Sequence, residues 1–280
     1  ATVALIQGSV PDVGLEFEQR ARQVLDNHVA QTEKLAAEVR AGTVAKPDLV
    51  VWPENSSDVD PLADPSAYAL IDRTVKDIGV PVLIGAILQG PGPTHRRNAG
   101  ILWSPTTGPG AMYVKRHPVP FAEYIPWRGL IFYLTSLTTL VTENFLPGPP
   151  MGALDIGPPR IADVMCFEVA FDDVVREGVT HGGRLLVVQT NNATYMGTAE
   201  TRQQLAMSQL RAVEHGRSVV VAATSGISAV VAPDGHIVTR TAEMTPAIID
   251  QPVVERDQLT IADHLGAVPE WGLGILGGLA

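Results

Sequence analysis

Short continuous apolar runs of strand length, separated by stretches with helical apolar spacing, constrain this chain more than any other feature. The first run is Val-Ala-Leu-Ile-Gln at 3–7. From Phe17 onward Ala21, Val24, Leu25, His28, Thr32, Leu35, Ala36 and Val39 recur at the spacing of one helix face. Residues 48–52 read as a second strand, 68–78 as a second helix and 81–88 as a third strand. Further strands are predicted at 98–104, 111–115, 160–166, 185–189 and 218–223, a helix across 198–215, and a hairpin over 228–241 turning at Pro233, Asp234 and Gly235. Runs that are apolar throughout belong to a sheet covered on both faces, so the pattern predicts an α/β fold with a largely parallel or mixed sheet. No internal repeat, low-complexity tract or linker interrupts it.

The 280 residues are 45% hydrophobic and 18% charged, which suits a sizeable core and excludes disorder for most of the length. A formal net charge of −10 offers no excess of cations to a phosphate backbone, so nucleic acid is not an expected partner. The one cysteine, Cys166, excludes an intrachain disulfide and any multi-thiolate metal site. His28, His181, His215, His236 and His264 show no metal-ligand spacing and read as surface or satisfied core histidines, so neither metal nor cofactor is expected. The first residues lack a basic region and read as a strand, not a signal peptide. The apolar stretch 129–141 is interrupted by Thr135, Ser136, Thr138 and Thr139 and falls short of the ~18 residues of a membrane span. The tail at 271–280 reads as the start of a hydrophobic helix, and the chain as an excised domain.

Residues 119–150 break the rhythm. They concentrate Phe121, Tyr124, Trp127, Phe132, Tyr133 and Phe145 in a chain that is only 5% aromatic. A long irregular aromatic insertion suggests a lid or binding loop. The apolar Leu130, Leu134, Leu137 and Val141 also suit a buried amphipathic helix, the lesser alternative. Around this insertion, Glu54 follows the strand at 48–52, Lys115 ends another, Cys166 ends a third, and Asn191 and Asn192 follow a fourth. Groups at the carboxyl ends of such strands converge on one rim. A thiol there gains a base in Glu54 and a cation in Lys115, enough for attack on a carbonyl and for stabilising the resulting oxyanion. Spacing alone leaves plainer readings open: a buried thiol, a first-turn acid and a solvated strand-end lysine.

Trp52-Pro53-Glu54, Lys115 through Pro126, and Met165-Cys166-Phe167-Glu168 resemble the Glu-Lys-Cys signature of the nitrilase superfamily. Within it, residues 119–126 (Val-Pro-Phe-Ala-Glu-Tyr-Ile-Pro) are similar to the apolipoprotein N-acyltransferase branch, with Ala122 where glycine is usual. Residues 191–197 resemble a motif that usually reads Asn-Asp-Ala-Trp-Phe-Gly, from which Asn192 and Thr194 depart. Arg211-Ala-Val-Glu214, Arg217 and 224–227 also fit the pattern. The resemblance implies a nitrilase-like α-β-β-α sandwich over 1–245, a lid insertion at about 119–150, and an extension at 246–280 leading toward a transmembrane helix. It implies an extracytoplasmic domain of a bacterial membrane enzyme that moves an acyl chain from a phospholipid, through a Cys166 thioester, to the amine of an apolipoprotein. Glu54 is then the base, Lys115 the oxyanion stabiliser, Glu123 and Glu168 supporting acids, and Phe121, Tyr124, Trp127, Phe167, Asn192 and Tyr195 substrate contacts. A monomer is expected. A soluble amidase using water as second nucleophile, and a docking domain without turnover, are the rival expectations.

Overall fold

A computed structural model describes residues 1–10, 17–133, 135, 141–157, 159–193 and 197–279. The strands and helices follow as β1 (Thr2–Gln7), α1 (Phe17–Arg40), β2 (Leu49–Val51), α2 (Pro65–Ile78), β3 (Val82–Gln89), β4 (His95–Ser104) and β5 (Gly108–Val114). Among its described residues the insertion holds α3 (Arg128–Ile131) and β6 (Asn144–Phe145). The second half comprises β7 (Ile161–Met165), a 3₁₀ turn (Cys166–Ala170), α4 (Asp172–Thr180), β8 (Leu185–Thr190), α5 (Glu200–His215), β9 (Val219–Ala223), β10 (Ala229–Val231) and β11 (Ile237–Arg240). β12 (Ala247–Pro252), α6 (Ile261–Leu265) and α7 (Val268–Leu279) follow.

Two mixed sheets stack. The first runs β12-β1-β2-β3-β4-β5 with β6 beside β4, and the second β11-β10-β9-β8-β7. β1, β2 and β3 are mutually parallel, as are β7, β8 and β9, while the outer strands return antiparallel. Alternation along each strand separates three apolar layers. Val50 and Ile84 face α1 and α2 with Leu25 and Ile71. Val51 and Leu83 meet Met165 and Val187 between the sheets. Val164 and Val188 face α4 and α5 with Val175 and Leu205. The result is helix on sheet on sheet on helix, the sandwich that the resemblance implied.

Local chemistry sets the ends of these elements. Asp64 accepts from the backbone N–H groups of Ser66 (2.7 Å) and Ala67 (2.9 Å), Pro65 opens α2, and Gly79 closes it in the left-handed region. Three features go beyond the sequence reading. The sheet extends past residue 245: β12 pairs antiparallel with β1 as an edge strand, which sequence reading left in the C-terminal extension because its Asp-Gln-Pro end is polar. The segment after the Cys166 turn, to which the sequence reading gave no element, folds as α4, with Val174, Val175 and Val179 buried. Of the amphipathic helix suggested by Leu130 and Val141, the described residues show only Arg128–Ile131, with Leu130 exposed; Leu134 and Leu137 lie outside the described residues.

Gly85 of β3 admits the backbone that carries Glu54. A Cβ at this position would lie 2.2 Å from the Pro53 carbonyl oxygen and 2.7 Å from Glu54 Cα. Gly85→Ala is therefore expected to destabilise the protein by about 1–3 kcal/mol in denaturant unfolding, as overpacking does. Gly110→Ala, whose Cβ meets only the Leu102 carbonyl at 3.4 Å, should remain close to the parent.

Candidate active site

Glu54 sits just past β2, buried, with both carboxylate oxygens engaged. Oε1 accepts from Lys115 Nζ at 2.8 Å and Asn98 Nδ2 at 2.7 Å; Oε2 accepts from the Asn191 backbone N–H at 2.9 Å. Lys115 follows β5 directly and is equally buried, and its ammonium also pairs with Glu123 Oε2 at 2.9 Å. Glu123 is fixed in turn by the Val119 N–H at 2.6 Å and by Asn98 Nδ2 at 3.2 Å. One ammonium thus lies between two carboxylates, with Asn98 bridging the acids. Burial alone would push the Lys115 ammonium toward losing its proton, but Glu54, Cys166 and Glu123 outweigh it and hold the group charged.

Cys166 follows β7 and opens the 3₁₀ turn with φ at 52°, a left-handed backbone that a non-glycine residue adopts only when its surroundings hold it. Two grips are visible. Glu168 Oε2 accepts from the Met165 N–H and Tyr113 Oη, each at 2.8 Å, while Oε1 accepts from the N–H groups of Arg116 (2.6 Å) and His117 (3.0 Å). This buried carboxylate ties the cysteine turn to the end of β5, and so to Lys115. From the other side Arg211 donates to the carbonyls of Val169 and Ala170, each at 2.8 Å. Its Nη1 also pairs with Asp172 and Glu214, filling the space where these acids and His215 bring ligand-type atoms together.

Burial, reinforced by Glu54, pushes the Cys166 thiol up to about 11; Lys115 and hydrogen bonds with Thr190 and Gln204 act against that rise. Glu54 and Lys115 therefore both bear on the sulfur, from sequence positions far apart. Beside them opens a cleft of about 860 Å³ lined by Asn55, Asp58, Asp60, Arg96 and Asn191 among others. Burial and the Glu54 charge push the Asp58 carboxyl there up to about 7.

The remaining candidates divide. Trp127 is 80% exposed, Phe121 and Phe167 are exposed, Tyr124 is half-buried, and Phe167 packs edge-on against Phe171. Asn192 is only 2% exposed, and its amide is taken up by Gln204 Oε1 at 2.7 Å and Thr190 Oγ1 at 3.5 Å, so this side chain braces the site from within. Tyr195 lies outside the described residues. Asn98, Thr190 and Gln204 join the site without having been singled out in the sequence. A lone asparagine opening the apolar run at 98–104 was the available signal for the first; the other two carried none.

The carbon-nitrogen hydrolase family model matches residues 2–256, a span that takes in every charged group of this cluster and β12 as well. The chain belongs to the carbon-nitrogen hydrolase family. The hydrolase-family chain is 44% identical over 280 residues to an apolipoprotein N-acyltransferase of Mycolicibacterium smegmatis, covering 99% of this chain and 47% of the relative. It is 29% identical over 271 residues to the protein of that name from Geobacter metallireducens, covering 96% and 51%. The chain thus spans about half the length of the curated relatives it matches. Among solved structures, a mutant of the Nesterenkonia AN1 amidase from the nitrilase superfamily superposes with a TM-score of 0.66 at 21% identity, covering 97% of this chain and 96% of that one. This likeness confirms the fold.

The charges around the sulfur set the direction of its reactivity. With the thiol raised to about 11, iodoacetamide alkylation of Cys166 should climb about tenfold per unit between roughly pH 7 and 9, because only the thiolate reacts. Glu54→Gln, which removes the neighbouring negative charge, should speed alkylation at about pH 8, and Lys115→Met should slow it. A rate already level at about pH 7 would contradict the assignment.

Proposed function

We propose that this domain transfers an acyl chain through a Cys166 thioester, from a phospholipid to the α-amino group of a diacylglyceryl-cysteine lipoprotein, on the extracytoplasmic face of a bacterial membrane. The observation that carries the proposal is the buried Glu54–Lys115 pair bearing on a thiol held at a strained strand end. The apolipoprotein N-acyltransferase relatives support the choice of substrates.

The chemistry follows from the geometry. Glu54 takes the Cys166 proton as sulfur attacks the ester carbonyl, and Lys115 with the N–H after the nucleophile stabilises the oxyanion. Collapse breaks the C–O bond, and Glu54 returns the proton to the departing lysophospholipid oxygen. The acceptor amine, neutral on attack, then gives a proton to Glu54 as nitrogen adds to the thioester. The C–S bond breaks, an amide forms and the thiol is restored. Glu123 keeps Lys115 aimed between the acids, and the acidic cleft at Asp58 and Asp60 suits the approach of an ammonium group.

Two exposed apolar surfaces suit a lipid interface. The lid presents Phe121, Trp127, Leu130, Phe132 and Tyr133, with Tyr133 86% exposed, and α7 presents Trp271, Leu273, Ile275 and Leu276. Among the described residues no helix is long and apolar enough to cross a membrane.

Phospholipid vesicles should add one acyl mass to Cys166 in the membrane-embedded whole protein, removable by hydroxylamine and absent from Cys166→Ala. Glu54→Gln should slow adduct formation by about 10²–10⁴, the usual range for a general base, and Lys115→Met by about 10²–10³, that of an oxyanion donor. Ammonia release from small amides without any lipid requirement, and no adduct, would favour the amidase reading.

A further inference from the structure

Gln189 in β8 reaches from the second sheet to the first, where its Nε2 donates to the Trp52 carbonyl at 2.6 Å. Trp52 stands two residues before Glu54. Only the nitrogen of a side-chain amide can donate to a carbonyl, so this bond decides which way the amide faces and turns Oε1 away from Trp52. That oxygen is buried without a hydrogen-bond partner among the described residues. So are both carboxyl oxygens of Asp163 in β7.

The unpartnered atoms converge on one place. β7 and β8 are parallel, with Asp163 opposite Val187 and Met165 opposite Gln189, so all four side chains point to the first sheet. Their target is Gly100 of β4: a Cβ there would lie 2.3 Å from Asp163 Oδ2 and 2.5 Å from Gln189 Oε1. An ionised Asp163 carboxylate would bring two buried acceptors to one point with no donor between them, a costly arrangement. One proton on the carboxyl converts the clash into a hydrogen bond.

We propose that Asp163 is a positioning residue that keeps its proton and donates it to Gln189 Oε1, locking the amide on the Trp52 carbonyl and holding Glu54 in register with Cys166. The functional half rests on the acyl-transfer reading and deepens it. The relay links the three strands that lead to Cys166, to the Asn191 N–H and to Glu54. Burial raises the Asp163 carboxyl well above the usual carboxylate range and the Glu168 charge adds to that rise, outweighing the Val164 backbone N–H, which acts against it. Gly100 carries no side chain because the pair occupies its place.

Infrared difference spectra between the parent and Asp163→Asn test the proton directly. The parent should show the carbonyl stretch of a protonated carboxyl group from about pH 6 to about pH 9 that the variant lacks; no such difference would overturn the proposal. Asparagine can donate to Gln189 Oε1, so Asp163→Asn should acylate Cys166 within about threefold of the parent. Asp163→Leu cannot, and should lose about tenfold to a hundredfold, as a misplaced catalytic group does. An Asn variant as slow as the Leu variant, or a Leu variant at parental rate, would overturn the positioning role. Should Asp163→Leu fail to fold, the infrared difference and the Asn variant still decide. A parent that forms no acyl adduct would sink the acyl-transfer reading while leaving the infrared result to judge the proton.

Discussion

The buried pairing of the Glu54 carboxylate with the Lys115 ammonium governs the rest of this structure. Removing two charges from water costs several kcal/mol each, and their attraction offsets that only with good geometry and with the remaining polar valences filled. Here they are filled. Asn98 and the Asn191 N–H complete Glu54, and Glu123 completes Lys115 while being held by Asn98 and the Val119 N–H. Each partner comes from a different element, so the site exists only when both sheets and the start of the lid are assembled. Deleting either member of the pair would leave an uncompensated buried charge, a loss of about 3–5 kcal/mol.

Around this pair the fold acts as a set of ties between the sheets. Glu168 fastens the cysteine turn to the end of β5, and Arg211 fastens the same turn to α5. Thr224 Oγ1 donates to the Glu54 carbonyl at 2.9 Å, bringing in the segment after β9. These contacts offset the strain at Cys166, where a left-handed non-glycine residue costs on the order of 1–3 kcal/mol. The strain serves a purpose: it lifts the thiol out of the strand line, toward the carboxylate and the ammonium whose charges act on it.

Much of the fold was legible because apolar runs and helical periodicity are local signals. Residues 81–88 and 185–189 could hardly be anything but covered strands. β12 escaped because an edge strand needs only one apolar face, and its polar Asp250 and Gln251 resemble a loop. The candidate trio was legible as chemistry, a lone thiol with an acid and an amine at strand ends, but spacing could not prove convergence, and the resemblance to a known signature tipped the reading. Asn98, Thr190 and Gln204 stayed hidden because their roles come from neighbours supplied by other strands. Asn192 follows the same strand next to Asn191, yet its side chain turns inward to Gln204 while the Asn191 backbone N–H meets Glu54.

A crystal structure of the protein carrying a stable acyl-thioester analogue on Cys166 would test the central claim most directly. The account predicts the analogue's carbonyl oxygen within hydrogen-bond distance of Lys115 Nζ and a Glu54 oxygen facing the side from which an amine would approach. A carbonyl oxygen turned to solvent, with Lys115 still engaged only by Glu54 and Glu123, would contradict it.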